Sequence, residues 1–184
     1  MKKVVLSVFA VPFILAPAVM LAQSGMKPTA ATYITDEEVK TVNALPGVDR
    51  QIKVVDIGNE NFAVGIVHRG PTGGTPGGIS HDQQTEGYLI VSGGGTMVTG
   101  GHIVNGRKSG PTNEVTTTLN GPSCSGAIAG ADVVRKVVKT GDIVIIPAGV
   151  PHGWAEITDH VDYLSFRPSA RVLEAGYVNP ALKK

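Results

Sequence analysis

The sequence has a single cysteine, few aromatic residues and almost no net charge. One cysteine, Cys124, among 184 residues excludes an intramolecular disulfide framework, so the fold depends on its core and on any metal it binds. Sixteen Lys and Arg residues against fifteen Asp and Glu residues exclude the strongly basic surface typical of nucleic-acid-binding domains. We therefore expect no nucleic acid among the partners. Hydrophobic residues form 42% of the chain, enough for a packed core.

One long apolar run is present, at residues 4–22, directly after Lys2 and Lys3. Small residues close the run, which is the pattern of a secretory signal peptide, and we expect cleavage after Ala22. The alternative is an uncleaved membrane anchor, but two prolines within the run weaken a continuous membrane helix. The expected mature protein is exported to the periplasm or the cell exterior and has no membrane attachment.

The rest of the chain has the composition and the residue pattern of an all-β protein. Glycine (24) and proline (12) are abundant, and turn residues separate short β-branched runs. Strands are predicted at residues 52–57, 62–67, 88–91, 96–98, 115–119, 133–138, 143–146 and 163–166. With no helical pattern between them, they favour a sandwich or closed barrel. We expect a signal peptide at 1–22, an extension at 23–50, one barrel at 51–170 and a tail at 171–184.

Two local patterns lie outside the predicted strands. Thr35 and Glu38 form a capping box, which predicts one short helix ending before Pro46. The glycine-rich residues 70–78 predict a mobile loop, either a plain linker between strands or a lid over a site. Cys124 has no neighbouring His or basic residue and is predicted to be a loop residue without chemistry of its own.

Candidate functional side chains begin directly after the glycine-rich loop. If Glu86 opens a strand, the two-residue period places Glu86 and Tyr88 on one face. The same period places His152, Trp154 and Glu156 on one face of a later strand. Prolines on both sides of the turn at 147–151 limit the movement of His152, which suits a pocket wall or a metal site.

These residues resemble the two motifs of the cupin superfamily. His81, four residues, Glu86, six residues and Gly93 match the first motif from its second histidine onward. Gly141, Pro147, Gly149 and His152 match the second motif. The resemblance covers roughly residues 62–167 and implies a jelly-roll barrel, also called a double-stranded β-helix. Because cupins are often dimers, it also implies a homodimer as a candidate assembly.

The sequence departs from the family pattern at two positions. Ile79 stands where the first motif has its first histidine, and isoleucine cannot bind a metal. Glu156 stands where the second motif usually has asparagine. The remaining ligand set is His81, Glu86 and His152, a facial triad that leaves positions open on one divalent ion of Fe, Mn, Ni, Cu or Zn.

Other polar side chains near the motifs are weaker ligand candidates. Gln83, His68 and His102 are alternatives for a further ligand, although each is more typical of an exposed residue.

The resemblance implies an enzyme that acts on a small organic molecule. A redox metal predicts a dioxygenase-type oxidoreductase, whereas a Lewis acid predicts a lyase, isomerase or hydrolase. We assign Tyr88 and Glu156 as candidate catalytic groups, and Tyr88, Trp154 and Tyr163 as candidate substrate contacts. A small-ligand-binding module without catalysis and a structural protein with vestigial motifs remain the alternatives.

Overall fold

The computed structural model describes residues 29–58, 60–168, 170 and 172–183. The predicted signal peptide at 1–22 lies outside the described residues. The elements, in chain order, are α1 (Asp36–Asn43), β1 (Asp49–Asp56), β2 (Asn61–Arg69), β3 (Gly77–His81), β4 (Glu86–Thr99), β5 (His102–Lys108), a π-helical turn (Val115–Leu119), β6 (Ser123–Ala129), β7 (Val134–Lys139), β8 (Ile143–Ile146), β9 (His152–Glu156), β10 (Val161–Pro168) and a 3-10 turn (Pro180–Leu182).

The strands form one curled antiparallel sheet in the order β1-β2-β10-β4-β9-β3-β6-β5, and β7 and β8 also pair with β4. The predicted all-β jelly roll preceded by a short helix is confirmed. No helix among the described residues has the length and apolar character needed to span a bilayer.

The long strand β4 joins the two halves of the barrel. Its first part pairs with β10 and β8, and its last part pairs with β9 and β7. The change of partners occurs at Gly93, which has a φ of +66°. A Cβ atom there would lie 2.0 Å from the carbonyl oxygen of His160. The motif glycine is thus required by its backbone conformation and by the closeness of the neighbouring chain.

The barrel interior is closed by aromatic and aliphatic side chains. Tyr88, Trp154 and Tyr163 pack with Met97 and Ile90 in the largest core cluster. The rings of Tyr88 and Tyr163 are 4.3 Å apart between centroids, and those of Trp154 and Tyr163 are 5.9 Å apart. These rings form a rigid apolar wall on the inner face of the strands.

The capping box predicted for α1 is present. The Thr35 hydroxyl accepts from the Glu38 backbone N–H at 3.2 Å, and the Glu38 carboxylate accepts from the Thr35 N–H at 3.0 Å. Lys53 of β1 also donates to the Glu38 carboxylate at 2.9 Å, which fastens the helix to the barrel. Buried Val42 packs the helix against β1 and β2.

The C-terminal tail covers the outer edge of β1. Gly176 donates to the carbonyl of Val54, and Val54 donates to the carbonyl of Tyr177. Asn179 donates its backbone N–H to Ile52 and its side-chain amide to Gln51. These bonds occupy the backbone groups that an edge strand would otherwise leave unpaired.

Three local predictions are wrong. The β-branched run at Val115–Leu119 forms a π-helical turn, because the Asn113 side-chain oxygen accepts from the Val115 N–H and the Val115 carbonyl accepts from the N–H groups of Asn120 and Gly121. Cys124 lies in β6 and not in a loop, paired with Ser80 of β3.

The third correction concerns the glycine-rich loop, which ends earlier than predicted because β3 begins at Gly77. A Cβ on Gly78 would lie 2.4 Å from Ile128, so the glycine allows close strand packing.

Candidate metal centre

Three buried side chains from different strands converge inside the barrel. His81 ends β3, Glu86 begins β4 and His152 begins β9. His81 Nε2 lies 3.2 Å and His152 Nε2 lies 3.3 Å from the same Glu86 oxygen, Oε2. Among the residues described, this is the one group of His, Cys, Asp or Glu side chains close enough together to hold a metal ion. The structure therefore brings together the three side chains selected as metal ligands.

Hydrogen bonds on the far side of each ring select the imidazole tautomer. His81 Nδ1 lies 2.7 Å from the Ser123 hydroxyl, which itself donates to the Gly121 carbonyl at 2.8 Å. The hydroxyl therefore accepts from His81, so Nδ1 carries the proton. His152 Nδ1 donates to the Val150 carbonyl at 3.0 Å. In neutral rings both Nε2 atoms then carry a lone pair and no proton, as metal-binding histidines require.

The spacing of these acceptor atoms fits a divalent ion. Two ligand atoms at right angles on an ion, each with a bond of about 2.1 Å, are separated by about 3 Å. The observed separations from Glu86 Oε2 are 3.2 Å and 3.3 Å. Because two lone pairs and a carboxylate repel one another, a cation among them, either a proton or a metal ion, stabilises the arrangement. The cluster thus has the composition and spacing of a metal site.

The Glu86 carboxylate is held from all sides. Its Oε1 accepts from the Ser165 hydroxyl at 2.9 Å and from Arg167 Nε at 3.1 Å, and its Oε2 accepts from the Tyr88 hydroxyl at 2.8 Å. Burial alone would raise the pKa of Glu86, but its close contacts with His152 and His81 and the Arg167 charge lower it well below its ordinary value. Glu86 is therefore an anion, ready to bind a cation.

The turn at 147–151 is fastened to the first motif. Gly149 has a φ of +81°, and its N–H donates to the His81 carbonyl at 2.7 Å. The N–H of Ala148 donates to the Thr85 hydroxyl at 3.2 Å. These bonds, together with the prolines at both ends of the turn, hold His152 against His81.

Two neighbouring cavities, of about 640 Å³ and 380 Å³, adjoin the cluster. Their volumes suit a small organic molecule. Both are lined by the residues Val48, Arg69, Ile79, Tyr88, His152 and Tyr163. Trp154 lines the larger cavity and Glu86 the smaller one. The structure therefore places Tyr88, Trp154 and Tyr163 around space beside the cluster, while their contacts with a substrate stay a prediction.

The comparisons with known proteins give matches in structure only. No protein-family model matches the sequence, and no curated protein is significantly similar to it. Among solved structures, a Bacillus halodurans protein is 12% identical with a TM-score of 0.45, covering 83% of this chain and 91% of its own. The DMSP lyase DddQ from Ruegeria pomeroyi is 16% identical with a TM-score of 0.38, covering 67% of this chain and 45% of its own.

An oxalate oxidase in complex with the substrate analogue glycolate is 15% identical with a TM-score of 0.39, covering 71% of this chain and 55% of its own. This chain thus spans about half the length of the lyase and the oxidase. At these identities and TM-scores the matches carry no activity over to this chain. The observation that decides the fold assignment comes from this chain itself. Residues of both sequence motifs meet at one buried cluster inside an antiparallel jelly roll.

The chain has a cupin fold. Its departures from the cupin pattern can now be located. Ile79 is half-buried, lies opposite His152 in the β3–β9 register and lines both cavities. The place of the missing histidine is therefore filled by an apolar side chain at the site. None of the weaker ligand candidates belongs to the cluster: Gln83 and His102 are exposed, and His68, which lines the larger cavity, is hydrogen-bonded to Asp162 at 2.6 Å.

Glu156 does not share the face of His152 and Trp154, so that prediction is wrong. The pairing of β9 with β4 shifts between Thr96 and Met97, and Trp154 and Ala155 are both buried while Glu156 is exposed. The irregularity breaks the two-residue alternation on which the prediction depended. Glu156 borders a separate surface pocket and lines neither cavity at the cluster.

Three residues at the site were missed by sequence reasoning: Asn120, Ser123 and Ser165. Asn120 and Ser123 belong to a connection for which the sequence predicted no role in the site. Arg167 is followed by Pro168, a pattern typical of a strand end, yet its side chain is fully buried and pairs with Glu86 and Asp49. The sequence does indicate that Ser165 and Arg167 face the site, because the two-residue period of the strand places them on the same face as Tyr163.

Proposed function

We propose that the chain is a metal-dependent cupin enzyme that oxidises a small organic molecule with dioxygen. The observation that carries the proposal is the convergence of two imidazole lone pairs and one buried carboxylate beside a cavity. The cavities supply room for a substrate next to the ligands. A divalent transition metal bound there would supply redox or Lewis-acid chemistry, with coordination positions left open by the three ligands.

The residues around the cluster have separable roles in this proposal. The Tyr88 hydroxyl is buried beside Glu86, and burial together with the Glu86 charge raises its pKa well above the ordinary value. Tyr88 therefore stays protonated; it donates this proton to Glu86 in the structure, and in the proposal the hydroxyl turns to donate a hydrogen bond to a substrate oxygen in the adjoining cavity. Trp154 and Tyr163 give the substrate an apolar wall and exclude water from the reacting atoms.

Arg69 favours a substrate with an anionic group. It lines both cavities, and its Nε donates to the Tyr163 hydroxyl at 3.1 Å. Electrostatic interaction with Tyr163 raises the pKa of Arg69 above its ordinary value, so the guanidinium is charged. None of the ion pairs found among the described residues involves Arg69. A carboxylate entering the cavity would supply the missing countercharge.

The second candidate function is redox-neutral chemistry, as in a lyase, isomerase or hydrolase. The observation favouring it is the protonated Tyr88 hydroxyl at hydrogen-bond distance from the ligand carboxylate, which suits proton transfer without dioxygen. Oxygen consumption separates the two candidates, since a redox-neutral reaction consumes none.

The test is oxygen-electrode and product analysis over a panel of small carboxylates and their neutral amides. We expect the protein reconstituted with Fe(II) to consume oxygen with a carboxylate, and the His152→Ala variant to consume none. His102→Ala, which removes an exposed histidine, is the matched control. Product without oxygen consumption would favour the redox-neutral reaction, and saturable binding without product would indicate a binding module.

Export and self-association remain part of the proposal. The signal-peptide pattern at 1–22 supports export, and N-terminal sequencing of the protein recovered outside the cytoplasm tests it. A mature N-terminus after Ala22 is expected, whereas a retained Met1 in a membrane fraction would favour an anchor. Sedimentation of the purified protein distinguishes the proposed homodimer from a monomer.

A further inference from the structure

Asn120 has a buried amide that its protein neighbours do not satisfy. It follows the π-helical turn Val115–Leu119 and is only 6% exposed. Its Nδ2 lies 2.7 Å from His81 Nε2, the atom that also faces Glu86. Its Oδ1 is sealed from solvent and has no hydrogen-bond partner. A buried acceptor without a partner is costly, so this position indicates a ligand.

The amide has a second orientation with nearly the same shape. A half-turn about the Cβ–Cγ bond exchanges the oxygen and the nitrogen. Oδ1 then takes the place beside His81 Nε2, at about the spacing expected for neighbouring ligands on one ion. In the first orientation the amide N–H occupies the His81 lone pair, whereas in the second a cation binds both atoms.

The backbone holds Asn120 at this point. Its own N–H donates to the Val115 carbonyl at 2.9 Å. The Gln51 side chain, from β1, donates to the carbonyls of Leu119 and Thr118 at 3.3 Å and 3.4 Å. The π-helical turn is thus fastened to the barrel wall, which positions the amide as a metal ligand requires.

We propose that Asn120 Oδ1 is a fourth ligand of the ion held by His81, Glu86 and His152. It supplies the donor that Ile79 cannot supply, from a different segment of the chain. The inference rests on the proposed metal site. The resulting set has two nitrogens and two oxygens, with one negative charge from Glu86, so that a divalent ion keeps a net positive charge.

The experiment is titration of the metal-free protein with Co(II), following its visible absorption, in four forms of the full chain. These are the wild type, Asn120→Leu, Asn120→Asp and Thr117→Ala. We expect Asn120→Leu to weaken binding at least tenfold and to change the Co(II) spectrum, because a ligand is lost. Asn120→Asp keeps an oxygen at the same place and is expected to bind at least as tightly as the wild type. Thr117→Ala removes an exposed side chain of the same turn and should bind unchanged.

The outcomes separate the inference from the proposed function. A wild-type spectrum and affinity in Asn120→Leu would overturn the fourth ligand while leaving the three-ligand site intact. Failure of the wild type itself to bind Co(II) would overturn both. Thermal unfolding of each metal-free variant shows whether it folds. A well-folded Asn120→Asp that binds as weakly as Asn120→Leu would also refute ligation, because only a structural role of the asparagine would explain it.

Discussion

Replacing Arg167 with methionine should destabilise the protein strongly, because the guanidinium is the buried countercharge of two carboxylates. Arg167 has 0% exposure, and its Nε and terminal nitrogen contact Glu86 and Asp49 at 3.1 Å and 2.5 Å. Burial alone would lower its pKa, but Asp49 and Glu86 raise it above the ordinary value. The variant keeps the side-chain volume and leaves both carboxylates without this partner.

The expected loss follows from the cost of breaking a buried ion pair. Removing one partner of such a pair typically costs about 3–5 kcal/mol. For a protein of this length that corresponds to a drop in Tm of about 6–20 °C. Arg135→Met, at an exposed position, should change stability by less than about 0.5 kcal/mol.

Urea unfolding at neutral pH measures the free energy of unfolding of Arg167→Met, Arg135→Met, Glu86→Gln and the double variant Glu86→Gln/Arg167→Met. The double variant should be less destabilised than the sum of the two single variants, because a neutral glutamine at position 86 does not need the Arg167 charge. A loss below about 1 kcal/mol in Arg167→Met, or full additivity in the double variant, would refute the buried-pair account.

Three further predictions follow from the same structure. Glu86 should stabilise the metal-free wild type less and less as the pH falls from about 4.3 toward the lowered pKa of Glu86 in the folded state. The free energy of unfolding of Glu86→Gln should not show this part of the pH dependence. An unchanged pH profile in the variant would contradict this. Gly93→Ala should cost more stability than Gly141→Ala, since both have positive φ but only the first meets a neighbour. Equal Tm values would refute it. Chelation should lower the Tm of metal-loaded protein.

Much of the site was predictable because the residue spacing within a short motif follows from the local backbone geometry. The spacing of His81, Glu86 and Gly93 reflects a strand end, a strand start and a left-handed glycine, all found in the structure. Tyr88 follows from the two-residue period of β4, whose residues 86, 88 and 90 are buried.

The unpredictable parts depend on contacts between distant segments. Asn120 and Ser123 reach His81 only because the turn before β6 folds against β3, and no local pattern records that approach. Glu156 was misplaced because an irregularity in the β4–β9 pairing depends on the partner strand. Val115–Leu119 has the composition of a strand, but it forms a helical turn because Asn113 and the Val115 carbonyl accept hydrogen bonds from the N–H groups that follow them.

The central claim is that His81, Glu86 and His152 hold one divalent ion. Elemental analysis of the protein purified without chelators, beside His152→Ala and the control His102→Ala, tests it most directly. The account predicts about one equivalent of Fe, Mn, Ni, Cu or Zn in the wild type and in His102→Ala, and almost none in His152→Ala. Equal metal in all three, or no metal in the wild type even after reconstitution, would contradict it.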